Sequence, residues 1–251
     1  MGIHVHLCGR LAITGDGVTI DERELPGRQG RIAFALLCVE PRRPISIERL
    51  NTALWGDDIP LDAAGAVASV VSKLRALLRR AGAGPDPIST GDGSYQIRLP
   101  PASSIDLEDA RNAIDRAEGA RRRDADAAAW ADATVAVTIA RRGFLAGETA
   151  SWVVSVQREL DRVARRGFDC LTWVWTQRDN AVLAVAMAEL AVEVEPLNEP
   201  AWRTLISTHA RFGNRAEALR AYWRCDELMR DQLGVAPDAE TSNLYHVLNA
   251  T

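Results

Sequence analysis

Lysine is nearly missing from this chain: Lys73 is the only one, and every other basic side chain is arginine. Cysteine is scarce too, and Cys8, Cys38, Cys170 and Cys225 lie far apart, with no two at metal-site or redox-motif spacing. Buried, reduced thiols are the expectation. No apolar run approaches the roughly 20 residues a membrane span needs, so no membrane partner is expected. The opening MGIHVHLCGRL has no basic flank followed by a long apolar stretch, which excludes a secretory signal and leaves a cytoplasmic location as the expectation. There is no Gly-x-x-x-x-Gly-Lys phosphate loop and no Gly-x-Ser-x-Gly elbow. His4 and His6 share a strand face but have no third ligand near them in sequence. Carboxylates are many, yet none pairs off as an acid and a base. Neither a cofactor nor an enzymatic role is expected. What remains is 251 residues, 47% hydrophobic and 25% charged, the composition of a globular protein with room for two domains.

The net charge of −4 looks wrong for a nucleic-acid binder. It is unevenly spread. Residues 1–103 carry 12 basic and 11 acidic side chains, and the rest carry 18 and 23. The N-terminal part is therefore near neutral on average, and any basic surface must be local. Its first residues alternate, Ile3-His4-Val5-His6-Leu7, as a half-buried strand does. Gly15-Asp16-Gly17 between Leu11-Ala12-Ile13 and Val18-Thr19-Ile20 is a hairpin signal. A helix is expected from about Gly27 to Val39, ending before Pro41 and Pro44. Ser46 is a good N-cap for a second helix over Ile47–Leu54.

The third helix, about Ala64 to Ala81, places Val67, Val71, Leu74 and Leu78 on one face. Ser69, Ser72, Lys73, Arg79 and Arg80 fall opposite, with Arg75 on the flank, and no acidic residue occurs between Ala63 and Gly84. A second hairpin follows, Ile88-Ser89-Thr90 and Ser94-Tyr95-Gln96-Ile97-Arg98-Leu99 around Gly91-Asp92-Gly93. Three helices closed by a hairpin, the last helix basic outside, is the plan of a winged helix-turn-helix, whose third helix enters the major groove. The expected DNA-binding set is Ser69, Ser72, Lys73, Arg75, Arg79 and Arg80, with Ser94, Tyr95 and Arg98 from the wing and Arg28 reaching phosphate. Small side chains at Gly65, Ala68 and Ser69, and the absence of a placed Asn or Gln, leave few base readers.

Pro100-Pro101-Ala102-Ser103-Ser104 reads as a short stiff linker. The chain beyond it is helical in pattern, with helices expected at about 106–120, 124–142, 149–178, 181–195, 199–212, 215–232 and 238–249. Trp202, Leu205, Ala218 and Tyr222 match a tetratricopeptide signature, with Ile206 and His209 where that signature has Gly and Tyr. The expected architecture is mainly α with a small β component. A winged helix over 1–100 is followed by a tetratricopeptide-like helical repeat domain over 104–251.

Lys73-Leu74-Arg75 and the Gly91–Leu99 hairpin resemble the recognition helix and wing of response-regulator-type winged helices, the hairpin being one residue longer before its tyrosine. The run from Glu193 to Trp202, Gly213–Tyr222, and Leu233-Gly234-Val235-Ala236-Pro237-Asp238 resemble the bacterial transcriptional activator domain. Gly143–Glu148 followed by Trp152 is similar to that domain's middle. The joined layout resembles the Streptomyces antibiotic regulatory protein family over nearly the whole chain. The resemblance implies a transcriptional activator that binds direct repeats in double-stranded DNA as a homodimer or as side-by-side protomers and recruits RNA polymerase. In winged-helix relatives the loop after the second helix touches polymerase, which implies Trp55, Asp57 and Asp58 here; Trp55 capping the core is the competing reading. The rival for the whole chain is a protein-interaction scaffold with a degenerate winged helix and little specific DNA binding.

Overall fold

The computed structural model describes residues 2–250, and helix dominates them. Contacts group them into two compact units: residues up to Asp109 together with Arg142–Gln157, and Ala110–Arg141 together with the residues from Arg158 onward.

The first unit begins with β1 (His4–His6), β2 (Ala12–Gly15) and β3 (Val18–Asp21). Helix α1 (Gly27–Val39), strand β4 (Ile45–Ser46) and helices α2 (Ile47–Trp55) and α3 (Ala63–Arg80) follow. Strands β5 (Ile88–Gly91), β6 (Ser94–Ile97) and β7 (Ser104–Ile105) come next. One sheet has the order β3-β2-β1-β7 and the other β4-β6-β5. Both hairpins turn on Asp-Gly. Asp16 and Gly17 have φ of 47° and 74°, and Asp92 and Gly93 have 44° and 69°. Two successive positive φ values make the type I′ turn whose twist matches the flanking strands. In α1, every residue from Ile32 to Val39 is buried, so this helix is enclosed rather than amphipathic. It stops at Glu40, ahead of Pro41. Ser46 caps α2 by accepting the Arg49 N–H at 3.2 Å.

Two pairings depart from the sequence reading. The segment read as linker ends in β7, which runs parallel to β1 with His4 opposite Ser104 and Val5 opposite Ile105. The 142–157 stretch, expected among the C-terminal helices, groups with the first unit: Cys8 bridges Phe144, and the Gly9 N–H donates to the Gly143 carbonyl at 2.9 Å. The physical reason is that β1 carries backbone groups on both edges, which must be paired if buried. Where β1 ends, Asp106 continues that role. Its carboxylate, on a residue only 6% exposed, accepts the Leu7 N–H at 2.8 Å and the Cys8 N–H at 3.1 Å.

The second unit contains most of α4 (Asp106–Arg121), α5 (Asp126–Ala140), most of α6 (Ser151–Gln177), α7 (Ala181–Val194), α8 (Glu199–Arg211), α9 (Arg215–Leu233) and α10 (Ala239–Ala250). Its seams are lined by alanine at helical spacing: Ala110, Ala113 and Ala117 on α4, Ala129, Ala133 and Ala136 on α5, and Ala184, Ala188 and Ala191 on α7 are all fully buried. Arg166 on α6 holds Glu118 on α4 with two hydrogen bonds, which keeps the Glu118 carboxyl below its ordinary range. Helix α8 packs against α7, α9 and α10. The tetratricopeptide-signature residues Trp202, Leu205 and Ala218 are buried in that packing, and the Trp202 indole donates to the Pro196 carbonyl at 2.8 Å. Tyr222 stacks on Tyr245 with ring centroids 4.6 Å apart.

Replacing Asp106 with Ala strands two backbone N–H groups, one of them wholly inside. The expected loss is about 2–4 kcal/mol, read as a lower urea midpoint at unchanged slope. Asp106→Asn, which keeps one acceptor, is expected to lose less.

Candidate nucleic-acid interface

Helix α3 is capped by Asp62, whose carboxylate accepts the Gly65 N–H at 3.0 Å. Its inner stripe, Val67, Val71, Leu74 and Leu78, is at most 1% exposed, as the spacing requires. Opposite it lie Ala64, Gly65, Ala68, Ser69, Ser72, Lys73, Ala76, Arg79 and Arg80, all exposed. The first two turns of that outer face are therefore small and nearly featureless, and the cations gather in the last two. Arg79 and Arg80 at the C-terminal end also suit the helix dipole.

The basic side chains are held in three different ways. Lys73 makes no hydrogen bond or ion pair with any described residue. Arg75 is half-buried and reaches the hairpin: its Nε donates to the Ile88 carbonyl at 2.7 Å and its Nη2 to Thr90 Oγ1 at 2.6 Å. Its guanidinium also lies 6.0 Å from the centre of the Tyr95 ring. Arg79 donates to the Pro85 carbonyl at 2.9 Å, and Arg98 on the hairpin to Ser89 Oγ at 2.9 Å. These acceptors are neutral, so the arginines are oriented but their charge is not cancelled. Among the described residues, Arg80 is the one cation of this helix paired with a carboxylate, that of Glu24.

The other expected residues fall out as follows. Ser94 is half-buried and donates to the Gly91 carbonyl at 2.6 Å, closing the turn. Tyr95 is 7% exposed and sits in register with Ile45 and Thr90, which makes it a core residue supporting Arg75 rather than a surface group. Arg28 lies on α1 and is engaged by both oxygens of Glu148, at 2.9 and 2.5 Å, and by the Leu54 carbonyl at 3.4 Å. Trp55 ends α2 half-buried, while Asp57 and Asp58 are exposed in the following loop beside exposed Ile59 and Leu61. Thus α3 carries Lys73, Arg75 and Arg79, with Arg75 tied to the β5–β6 hairpin, while Arg98 follows β6 on the strand face opposite Thr90 and Tyr95. Arg28 stands apart from these on α1.

Sequence reasoning missed the acceptors that orient these arginines. Thr90 and the Ile88 carbonyl were legible only as hairpin, and nothing local signals that Glu24, 56 residues before Arg80, neutralises it, or that Glu148, 120 residues after Arg28, holds that side chain.

The Bacterial transcriptional activator domain family matches residues 105–249. Transcriptional regulatory protein EmbR of Mycobacterium tuberculosis is 27% identical over 243 residues, which cover 92% of this chain and 59% of that protein. Regulatory protein AfsR of Streptomyces coelicolor is 30% identical over 217 residues, 83% of this chain and 20% of its own length. The solved structure of Mycobacterium tuberculosis EmbR in complex with a low affinity phosphopeptide has the same fold. Its TM-score is 0.87 at 23% identity, covering 99% of this chain and 65% of that one. The chain thus spans less than two thirds of each of these relatives.

Lys73→Ala and Arg75→Ala are expected to separate in stability. Removing Arg75 leaves the hairpin without its tie to α3 and costs about 1–2 kcal/mol; removing Lys73 changes stability by less than about 0.5 kcal/mol. Urea denaturation of the two variants measures the difference.

Proposed function

We propose that this chain, which belongs to the bacterial transcriptional activator domain family, is a DNA-binding transcriptional activator of the Streptomyces antibiotic regulatory protein type. In this reading the first unit is a response-regulator-type winged helix-turn-helix, with α3 in the major groove and the β5–β6 hairpin as its wing. The observation that carries it is α3 itself, free of acidic side chains from Ala63 to Arg80 and bearing Lys73, Arg75 and Arg79, whose charge no carboxylate among the described residues cancels. A polyanion supplies what that helix lacks. Lys73, Arg79 and Arg98 meet phosphates, with Ser69 and Ser72 as hydrogen-bonding neighbours. Ser94 shapes the wing tip, Tyr95 backs Arg75, and Arg80 and Arg28 reach phosphate by exchanging Glu24 and Glu148 for it. Because phosphate contacts position without specifying, selectivity rests on direct repeats occupied by neighbouring protomers and on DNA shape.

RNA polymerase is the second partner in this reading, met by Trp55, Asp57 and Asp58. What supports it is an exposed loop that joins two carboxylates to the exposed Ile59 and to Leu61, which has no cover at all. The rival, a scaffold without specific DNA binding, is favoured by one observation: Ala64, Gly65 and Ala68 offer nothing to read a base with.

Fluorescence anisotropy of the full chain on duplexes separates the two. An activator is expected to prefer its own promoter repeats to random DNA by about 10³ or more. Lys73→Ala is expected to weaken binding on both duplexes alike and to lower the salt slope by about 1. Equal affinity for promoter and random DNA leaves the scaffold. Separately, Asp57→Lys with Asp58→Lys is expected to lower transcription from a bound promoter while DNA affinity is unchanged; full transcription removes the polymerase assignment.

A further inference from the structure

A pocket of about 430 Å³ opens within the second unit, between α4, α6 and α8. That volume lies in the range of small-molecule sites. Arg121 comes from α4, Asp169 and Trp173 from α6, and Ser207 and Arg211 from α8. Such sites are mostly apolar with a few convergent polar groups; this one joins Trp173 and Pro200 to arginine, aspartate and hydroxyl side chains.

Two of those groups are incompletely matched inside the protein. Asp169 receives Arg165 on Oδ2 at 2.6 Å, while its Oδ1 is buried with no hydrogen-bond partner. The side chain keeps 19% of its surface. Desolvation pushes its pKa up to about 6 although Arg165 and Arg121 pull the other way, which marks a carboxylate short of donors. Arg211 is the converse, an exposed guanidinium with no acceptor among the described residues. The third arginine of the wall, Arg203, is already spent on Asp238, Glu240 and Thr241. An acceptor short of donors and a donor without an acceptor therefore line one pocket, with the Ser207 hydroxyl and the Trp173 ring beside them.

We propose that this pocket binds a small organic anion that also carries N–H or O–H donors, its anionic group on Arg211 and Arg121 and its donors on the Asp169 carboxylate. Amino-acid carboxylates and nucleotide phosphates both have that chemistry. The site does not involve the α3 face, so its fate is independent of the DNA reading.

Isothermal titration of the full chain, without DNA, uses L-glutamate and guanosine monophosphate as donor-bearing anions and acetate as an anion without donors at pH 7.5. At least one of the first two is expected to bind once per chain, and acetate at least tenfold more weakly. Whichever binds identifies the source. Arg211→Ala, a change at an exposed, unpaired side chain, is expected to weaken that binding at least tenfold with an unaltered melting curve. Lowering the pH from 7.5 to 5 protonates Asp169 and is expected to weaken binding more in the native chain than in Asp169→Asn, a comparison in which the probe's own titration cancels. No saturable binding of either probe up to 10 mM overturns the proposal, and so does full affinity in Arg211→Ala or an identical pH response in Asp169→Asn.

Discussion

The first unit is organised around one buried carboxylate. Asp106 is both the first residue of α4 and the acceptor for the amides that follow β1. A charge this deep is costly unless its lone pairs are supplied, and backbone N–H groups at the end of a strand are equally costly unless they find acceptors. Each satisfies the other here. β7 is held beside β1 because the next residue is anchored. Asp106 thereby belongs to the N-terminal sheet, even though about a hundred residues separate it from β1 in sequence.

On α3 the decisive distinction is between orienting a charge and cancelling it. A guanidinium bonded to a carbonyl or hydroxyl loses conformational freedom but keeps its field, whereas one bonded to a carboxylate loses most of both at long range. Arg75, Arg79 and Arg98 are of the first kind and Arg80 of the second. A chain of net charge −4 thus keeps uncancelled cations on α3 without needing a basic domain.

What could be read from the sequence was what local periodicity encodes. The Asp-Gly turns declared both hairpins because two consecutive positive φ values admit few residues. The i, i+4, i+7, i+11 stripe of Val67, Val71, Leu74 and Leu78 gave the orientation of α3, and with it the outward placement of Ser69, Ser72 and Lys73. The helices after position 105 lie within a few residues of their expected bounds. Illegible were contacts whose partners lie far away along the chain: β7 on β1, Phe144 on Cys8, Glu148 on Arg28. Strand β4 was hidden because two residues are too short to show alternation. The alternation of Tyr95 and Ile97 showed that they share a strand face, but that this face is buried against Arg75 became visible only in the structure. The pocket residues carried no sequence signal, since a half-matched aspartate looks like any other until its neighbours are in place.

The inclusion of Arg142–Gln157 in the first unit bears on how the chain tolerates cutting. A break in the proline-rich stretch at 100–101 looks natural from composition, but it frees an N-terminal fragment lacking the Asp106 carboxylate, the backbone partners of Cys8 and Gly9, and the counterion of Arg28. Such a fragment has an open sheet edge and invites association through it. Proteolysis there is therefore not a route to two independent pieces but a route to one damaged and sticky one. Dissection of this architecture calls for point changes that leave the polypeptide continuous.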